Sequence, residues 1–393
     1  MKKITILFLI LIILNISSTI ESLDPLERLL KLLPGDIFGI IFKLVIDLIT
    51  ALLKPKLPLN DAELKDLAET LKELAKSGFS ISEKELLKIA QEVFEINKLT
   101  GGEWTAKLTL ESLYPLEIQK TLCGTLDVQE DETEDKPPRD KRAVSRRDKR
   151  AVSCTYNIEF DVRNRWKACK PIISYVQNQG QCGSCWAVST ASCYTDRYCI
   201  ERAKKRLRTP NNATYTFSSY DLLSCSMLNG CKGGWPDKAW KWIQRNGICT
   251  GTDFPRSDGC KPYPFGPTVT NPVLKSCSRS CTKASWRPTV RGEASIKYQL
   301  QNYGPVVTGF TVYKDFESYK GGVYYRVWGE NLGGHAVVIT GYGTATCNGR
   351  KLPFWVLRNS WGPKWGMGGF FYMRRGNNEC GVEKYIAYGV PTL

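Results

Sequence analysis

The stretch "NQGQCGSCWAVST", residues 178–190, sets Cys182 and Cys185 in a C-x-x-C frame directly ahead of a run with helical character. Such a pair can be half of a zinc site, a redox couple, or a structural cysteine beside a nucleophile. A structural zinc site needs four nitrogen or sulfur ligands, usually from a second C-x-x-C or paired histidines. Neither is present, and the whole chain holds one histidine, His335, so no metal site is expected. A redox unit would place the pair soon after the first strand of a small α/β domain, and these surroundings do not fit. The third reading needs a base and an orienting group. In "CWAVSTASCYTDRYC" Cys185 falls in the first helical turn, reached through Gly183 and Ser184, where the helix dipole favours a thiolate. The base can only be His335, 150 residues downstream in the strand-like "NLGGHAVVITGYG".

Composition is that of a folded protein: 393 residues, 42% hydrophobic and 24% charged, room for two to three compact units and too apolar for disorder over most of its length. The opening "MKKITILFLILIILNISS" puts two lysines before an apolar run that ends in small polar residues, the pattern of a secretory signal peptide over residues 1–22. The expected location is the secretory pathway, leading to lysosome-like vesicles or the cell exterior. In that oxidising compartment most of the fifteen cysteines should pair, and an odd total leaves at least one thiol free or intermolecular. From residue 151 onward there are 32 Lys and Arg against 14 Asp and Glu. The basic run "ERAKKRLR" (201–208) could attract polyanions, but secretion argues against nucleic acid as a partner.

Residues 23–80 read as a leucine-rich helical N-terminal extension. Pro34 and Gly35 split two apolar stretches, the second too short and too charged for a confident membrane span, although attachment of the proform to a membrane surface stays open. From Asp61 to Leu99 apolar residues recur at three- and four-residue spacing, with Ser82 and Glu85 forming a capping-box start. Residues 128–153 turn from acidic through proline to basic without apolar periodicity, a solvated linker. Inside it "RDKRAVS" occurs twice, and the R-x-K-R pattern resembles proprotein convertase sites, so cutting is expected after Arg142 or Arg150. Residues 154–393 suit one two-lobed domain, with Asn212 in "NNATY" its N-glycosylation acceptor.

Three motifs together carry a family resemblance: "QGQCGSCW", "GGHAVVITGYG" and "RNSWGPKWGMGGFF" resemble the nucleophile, histidine and asparagine segments of the papain family of cysteine peptidases. The resemblance implies an α+β, papain-like two-lobed fold. A helical lobe would carry the catalytic cysteine helix and a β-barrel-like lobe the histidine and asparagine, all preceded by a helical propeptide. It further implies Cys185 as nucleophile, His335 as acid and base, Asn359 as the group holding the imidazole, Gln179 as oxyanion donor, and Trp361 as a shield over the Asn359–His335 bond. No cofactor follows from it. The similarity is strongest to the cathepsin B-like branch, from Trp104 to Pro391, and makes residues 81–127 a propeptide that inhibits its own enzyme. The disulfides it implies are Cys169–Cys199, Cys182–Cys231, Cys225–Cys277 and Cys260–Cys281, leaving Cys154, Cys193, Cys249, Cys347 and Cys380 unassigned. Gly233 and Gly234 in "CKGGWP" resemble the backbone rail that holds an extended substrate.

Two departures shape the expected activity on protein and peptide substrates. The loop "GCKPYPFGPTVTNPVLKSCSRSC" (259–281) contains none of the histidines with which that branch clamps a substrate's C-terminal carboxylate; Lys261 or Lys275 could replace that positive charge, although a lysine in a Pro-rich loop is more often solvated. An endopeptidase with weak or no dipeptidyl carboxypeptidase activity is therefore expected. Tyr385 stands where the branch has an arginine-accepting glutamate in the pocket two residues before the cleaved bond, so apolar side chains should be preferred there. The alternative, a catalytically silent binding or matrix protein, is weighed down by retention of all four catalytic positions.

Overall fold

In this computed structural model, residues 57, 59–126, 153–210, 216–226, 229–266, 285–290 and 293–393 are described, and the chain divides into a unit ending at Lys88 and another from Ile89 to Leu393. The expected signal peptide, most of the leucine-rich stretch, the linker with Arg142 and Arg150, Asn212, Lys275, Cys277 and Cys281 all lie outside the described residues. In the first unit, helix α1 (Asp61–Lys76) begins at a capping box: the Asn60 side chain accepts the Ala62 and Glu63 N–H groups, and Glu63 returns a bond to the Asn60 N–H. Its leucines at 64, 67 and 74 are buried. Helix α2 (Glu83–Thr100) crosses the division, and the Ser82 hydroxyl accepts the Glu85 N–H at 3.2 Å.

The second unit continues through β1 (Trp104–Ala106), α3 (Leu110–Leu113) and α4 (Leu116–Thr121). After β2 (Cys154–Asp161) and two single-turn helices (Val162–Arg165 and Lys170–Ile173) come three longer helices, α5 (Cys185–Lys204), α6 (Ser219–Cys225) and α7 (Pro236–Asn246). The remainder is β3 (Ser285–Val290), α8 (Glu293–Asn302), β4 (Val306–Tyr313), α9 (Lys314–Glu317), β5 (Tyr319–Tyr324), β6 (Asn331–Cys347), β7 (Arg350–Arg358), β8 (Phe370–Arg374) and β9 (Ile386–Val390). The described strands form a sheet in the order β1-β5-β8-β7-β6-β4-β9-β3, with β2 also pairing β6. Strand β6, rich in Val, Ile and Thr, is buried over most of its length, as suits a strand covered on both faces. It pairs with β4, Phe310 opposite His335, and with β7, Val338 opposite Arg358, so Asn359 leaves β7 close to His335.

Helix α5 buries 14 of its 20 residues, which makes it the core of the helical side rather than a surface helix. Its buried charges are all met. Asp196 accepts from Arg358 Nη2 at 2.8 Å, and Arg197 donates to the carbonyls of Pro305, Gly304 and Gly389. The Asp196–Arg358 pair ties the strand that ends at Asn359 to the helix headed by Cys185. Breaking one half of such a pair typically costs 3–5 kcal/mol, so the two sides are held in register.

Disulfides join Cys169–Cys199, Cys182–Cys231 and Cys154–Cys347. The last staples the start of β2 to the end of β6, a pairing that the sequence left unassigned. Cys225 and Cys249 each carry a disulfide whose partner lies outside the described residues. Cys260 corrects the implied Cys260–Cys281 bond: its thiol is free and exposed. Thr250 fixes this stretch, its carbonyl accepting the Lys261 N–H at 2.9 Å and its hydroxyl lying 3.6 Å from Cys260 Sγ. The bonded cysteine on this side is Cys249. Cys123, Cys185, Cys193 and Cys380 are also free.

Candidate active site

Cys185 opens α5 after Ser184, whose side chain makes no capping bond. The Ser184 hydroxyl instead pairs with the Tyr263 hydroxyl at 2.7 Å, which leaves the first-turn amides uncapped at Cys185. The loop ahead is fixed by the Cys182–Cys231 disulfide and by the Gly183 N–H on the Cys231 carbonyl at 3.0 Å. A Cβ on Gly183 would stand 2.4 Å from that carbonyl oxygen, so only glycine fits. A Cβ on Gly234 would meet the Trp186 ring at 2.6 Å, so the tryptophan after the cysteine requires glycine at 234.

His335 is fully buried, and its Nε2 lies 2.8 Å from Asn359 Oδ1. That oxygen also accepts the Ser360 N–H at 2.8 Å, so it is an acceptor toward the ring and Nε2 carries the proton. Nδ1 is buried with no hydrogen-bond partner among the described residues, leaving it as the nitrogen that can take up and release a proton. The Trp361 ring lies 4.9 Å from the imidazole and is 4% exposed, closing the Asn359 bond off from water. Burial alone would raise the Cys185 thiol, but the His335 charge, its side chain, the Thr125 hydroxyl and the Ala336 backbone together bring it below the usual thiol range. A thiol of lowered pKa at a helix start, next to an imidazole oriented by an amide, is equipped for nucleophilic attack and proton transfer.

Gln179 is fully buried and held at every polar atom. Its Nε2 donates to the Cys182 and Leu122 carbonyls at 2.9 and 3.1 Å, Oε1 accepts from the Ser360 hydroxyl at 2.7 Å, and its carbonyl accepts from the Tyr263 hydroxyl at 2.7 Å. Tyr263, Ser184, Ser360 and Thr125 are contributors that the sequence did not single out. Tyr385, at the turn into β9, is half-buried with Lys384 Nζ 5.8 Å from its ring. Lys261 turns away from solvent: its Nζ lies 2.9 Å from Cys225 Sγ and 3.4 Å from Asp221 Oδ1.

The cleft is filled by residues 122–126. Thr125 pairs with both Gly234 and Gly334, its N–H on the Gly334 carbonyl at 2.9 Å, and the Leu126 N–H reaches the Gly234 carbonyl at 3.1 Å. The Thr125 hydroxyl sits 3.2 Å from Cys185 Sγ, so the atom against the sulfur is a hydroxyl oxygen and not a peptide carbon. Upstream, burial raises the Glu111 carboxyl from 4.5 to about 7, and burial with the neighbouring Glu111 charge raises Glu317 well above its usual range. Acids that bind protons more tightly in the folded proform favour folding most at low pH. For Glu111 this advantage is complete below about pH 4.5 and lost as pH rises toward about 7. The thermal midpoint of a Cys185→Ala proform should therefore fall between about pH 5 and about pH 8. Glu111→Gln should relieve that fall by on the order of 3 kcal/mol at the upper end. Parallel melting curves for the two proteins would count against this.

Comparison with known proteins agrees with this geometry. The papain family cysteine protease profile matches residues 156–390. Cathepsin B-like cysteine proteinase 4 of Caenorhabditis elegans is 37% identical over 264 residues, 60% of this chain and 75% of that protein. The gut-specific cysteine proteinase of the same organism is 39% identical over 252 residues, 58% and 72%. Among solved structures, proCathepsin B S9 from Trypanosoma congolense is similar over 77% of this chain and 98% of its own, with 33% identity and a TM-score of 0.59.

Proposed function

We propose, from the premise that this chain belongs to the papain family of cysteine proteases, that it is the zymogen of an endopeptidase of the secretory pathway. The observation that carries this reading is the Cys185 thiol, lowered in pKa beside an imidazole whose far nitrogen is held by Asn359 at 2.8 Å. Cys185 gives its proton to His335 Nδ1 and its Sγ attacks the peptide carbonyl carbon; the C–N bond then breaks as that proton passes to the leaving amine, leaving a thioester. Water then gives a proton to Nδ1 as its oxygen attacks the thioester, releasing the acid product and restoring the thiol. The developing oxyanion is met by Gln179 Nε2 and the Cys185 N–H. Gly233 and Gly234 take the backbone of the substrate preceding the cleaved bond. Residues 122–126 occupy this path in the proform and must leave after cutting at Arg142 or Arg150.

Endopeptidase action is supported by the absence of histidine from residues 259–281 and by the pairing of Lys261 with Asp221, which removes a charge that could hold a terminal carboxylate. Tyr385 in place of an acid favours apolar over basic residues two before the cleaved bond. The test is a cleavage profile of the matured enzyme on a peptide library in free-acid and amide forms. Internal cuts in both forms are expected, with Phe-Arg peptides turned over faster than Arg-Arg. Stepwise dipeptide release confined to the free acids would overturn the endopeptidase reading. An epoxide probe that fails to label the parent protein would overturn activity itself.

A further inference from the structure

Glu317, the last residue of α9, takes no part in the chemistry above. It is fully buried, and neither carboxylate oxygen has a hydrogen-bond partner among the described residues. An unpaired buried carboxylate is destabilising, so stability is no reason for its presence. Its backbone carbonyl accepts Trp365 Nε1 at 3.0 Å and the Thr109 hydroxyl at 2.7 Å. Cys123 has both Glu317 and Cys185 as electrostatic neighbours, which brings the Glu317 carboxylate to the part of the cleft beside the catalytic cysteine.

The groups around that carboxylate belong largely to the segment that must leave. Glu111 and Cys123 are its charged and titratable neighbours there, and Lys314 is its neighbour on its own turn. Lys314 is itself engaged by Glu92 of α2 at 3.0 Å. Position along the cleft follows from the same segment. Thr125 lies at Cys185 and Leu126 runs beside Gly233 and Gly234, whereas a Cβ on Gly333 would stand 3.1 Å from Cys123 Cβ. Cys123 and Glu317 are thus on the other side of Cys185 from the glycine rail, where the leaving amine departs.

We propose that in the matured enzyme Glu317 lines the subsite for the residue just after the cleaved bond and selects lysine or arginine there. A cationic side chain supplies the hydrogen-bonded partner that the carboxylate lacks, and an acidic one is repelled. This rests on the peptidase reading and on the substrate direction given above.

The test uses matured enzyme and three internally quenched peptides identical except for Arg, Leu or Glu directly after the cleaved bond, with active sites titrated by an epoxide inhibitor. The parent should show kcat/KM for Arg about tenfold above Leu, the factor of one charge-assisted hydrogen bond, and Glu below both. Glu317→Gln and Glu317→Leu should each bring the Arg-to-Leu ratio to about one, and Glu317→Lys should raise Glu above Arg. A ratio near one in the parent, as would follow if Lys314 swings onto Glu317 once Glu92 has gone, overturns the proposal. So does a ratio unchanged in Glu317→Gln. If none of the peptides is cut by the parent, the peptidase reading falls and takes this one with it.

Discussion

Replacing Cys185 with alanine should reduce peptide hydrolysis to background, a loss on the order of a million-fold. The expectation follows from how little else in the cleft can act as a nucleophile. Thr125 belongs to the segment proposed to leave on maturation, and Cys193, also on α5, is buried with its sulfur 3.2 Å from the Pro305 carbonyl; burial pushes its thiol up to about 12. His335→Ala should cost nearly as much, because without the imidazole the thiol loses the charge that lowers it and the leaving amine loses its proton donor. The double variant should be no worse than either alone, since the two act as one unit. Turnover of a Phe-Arg substrate by the matured proteins, with circular dichroism to confirm folding, measures this. Residual activity above about one per cent in Cys185→Ala would remove the nucleophile assignment. The same variant reports on maturation: a proform still cut after Arg142 or Arg150 is processed by another protease.

The parts of this site legible in the sequence are those whose physical cause is local. A cysteine at a helix start and a lone histidine in a β-branched run each carry their reason within a few residues. The helical periodicity of 61–99 belongs to this class, and α1 and α2 fill it, although the reciprocal cap stands at Asn60 and Glu63, ahead of the Ser82–Glu85 pair. What escaped is what the chain assembles across long separations. Tyr263 reaches Ser184 from 79 residues away, and Cys154 meets Cys347 across 193. Neither hydroxyl pairing nor disulfide connectivity has a spacing rule from which it could be read. The Cys260 assignment failed for the same reason: several cysteines lie between 225 and 281, and only packing decides which of them bond. Glu317 was invisible differently, because a glutamate in "KDFES" reads as an ordinary exposed acid until its burial is seen.

Gln179→Ala should lower kcat by ~10²–10³-fold while leaving KM close to the parent value, the pattern of a donor that acts mainly on the transition state. The size of the effect depends on preorganisation. A free amide would have to be oriented during the reaction, but here Ser360 fixes Oε1 at 2.7 Å, the Gln179 N–H holds the Ser360 carbonyl at 2.8 Å, and Tyr263 clamps the Gln179 carbonyl. Nε2 is left facing the cleft, where it already meets a peptide carbonyl, that of Leu122 at 3.1 Å. Gln179→Glu tests the donor rather than the shape. It keeps the length of the side chain but sets a negative oxygen against a developing negative charge, so it should be at least as damaging as alanine. Tyr263→Phe removes one clamp and should fall between, with a loss of about tenfold, because the Ser360 contacts still hold the amide. Steady-state kinetics on one substrate separate these cases. If all three variants raise KM and spare kcat, Gln179 binds substrate instead of stabilising the oxyanion, and the Cys185 N–H must carry that task alone.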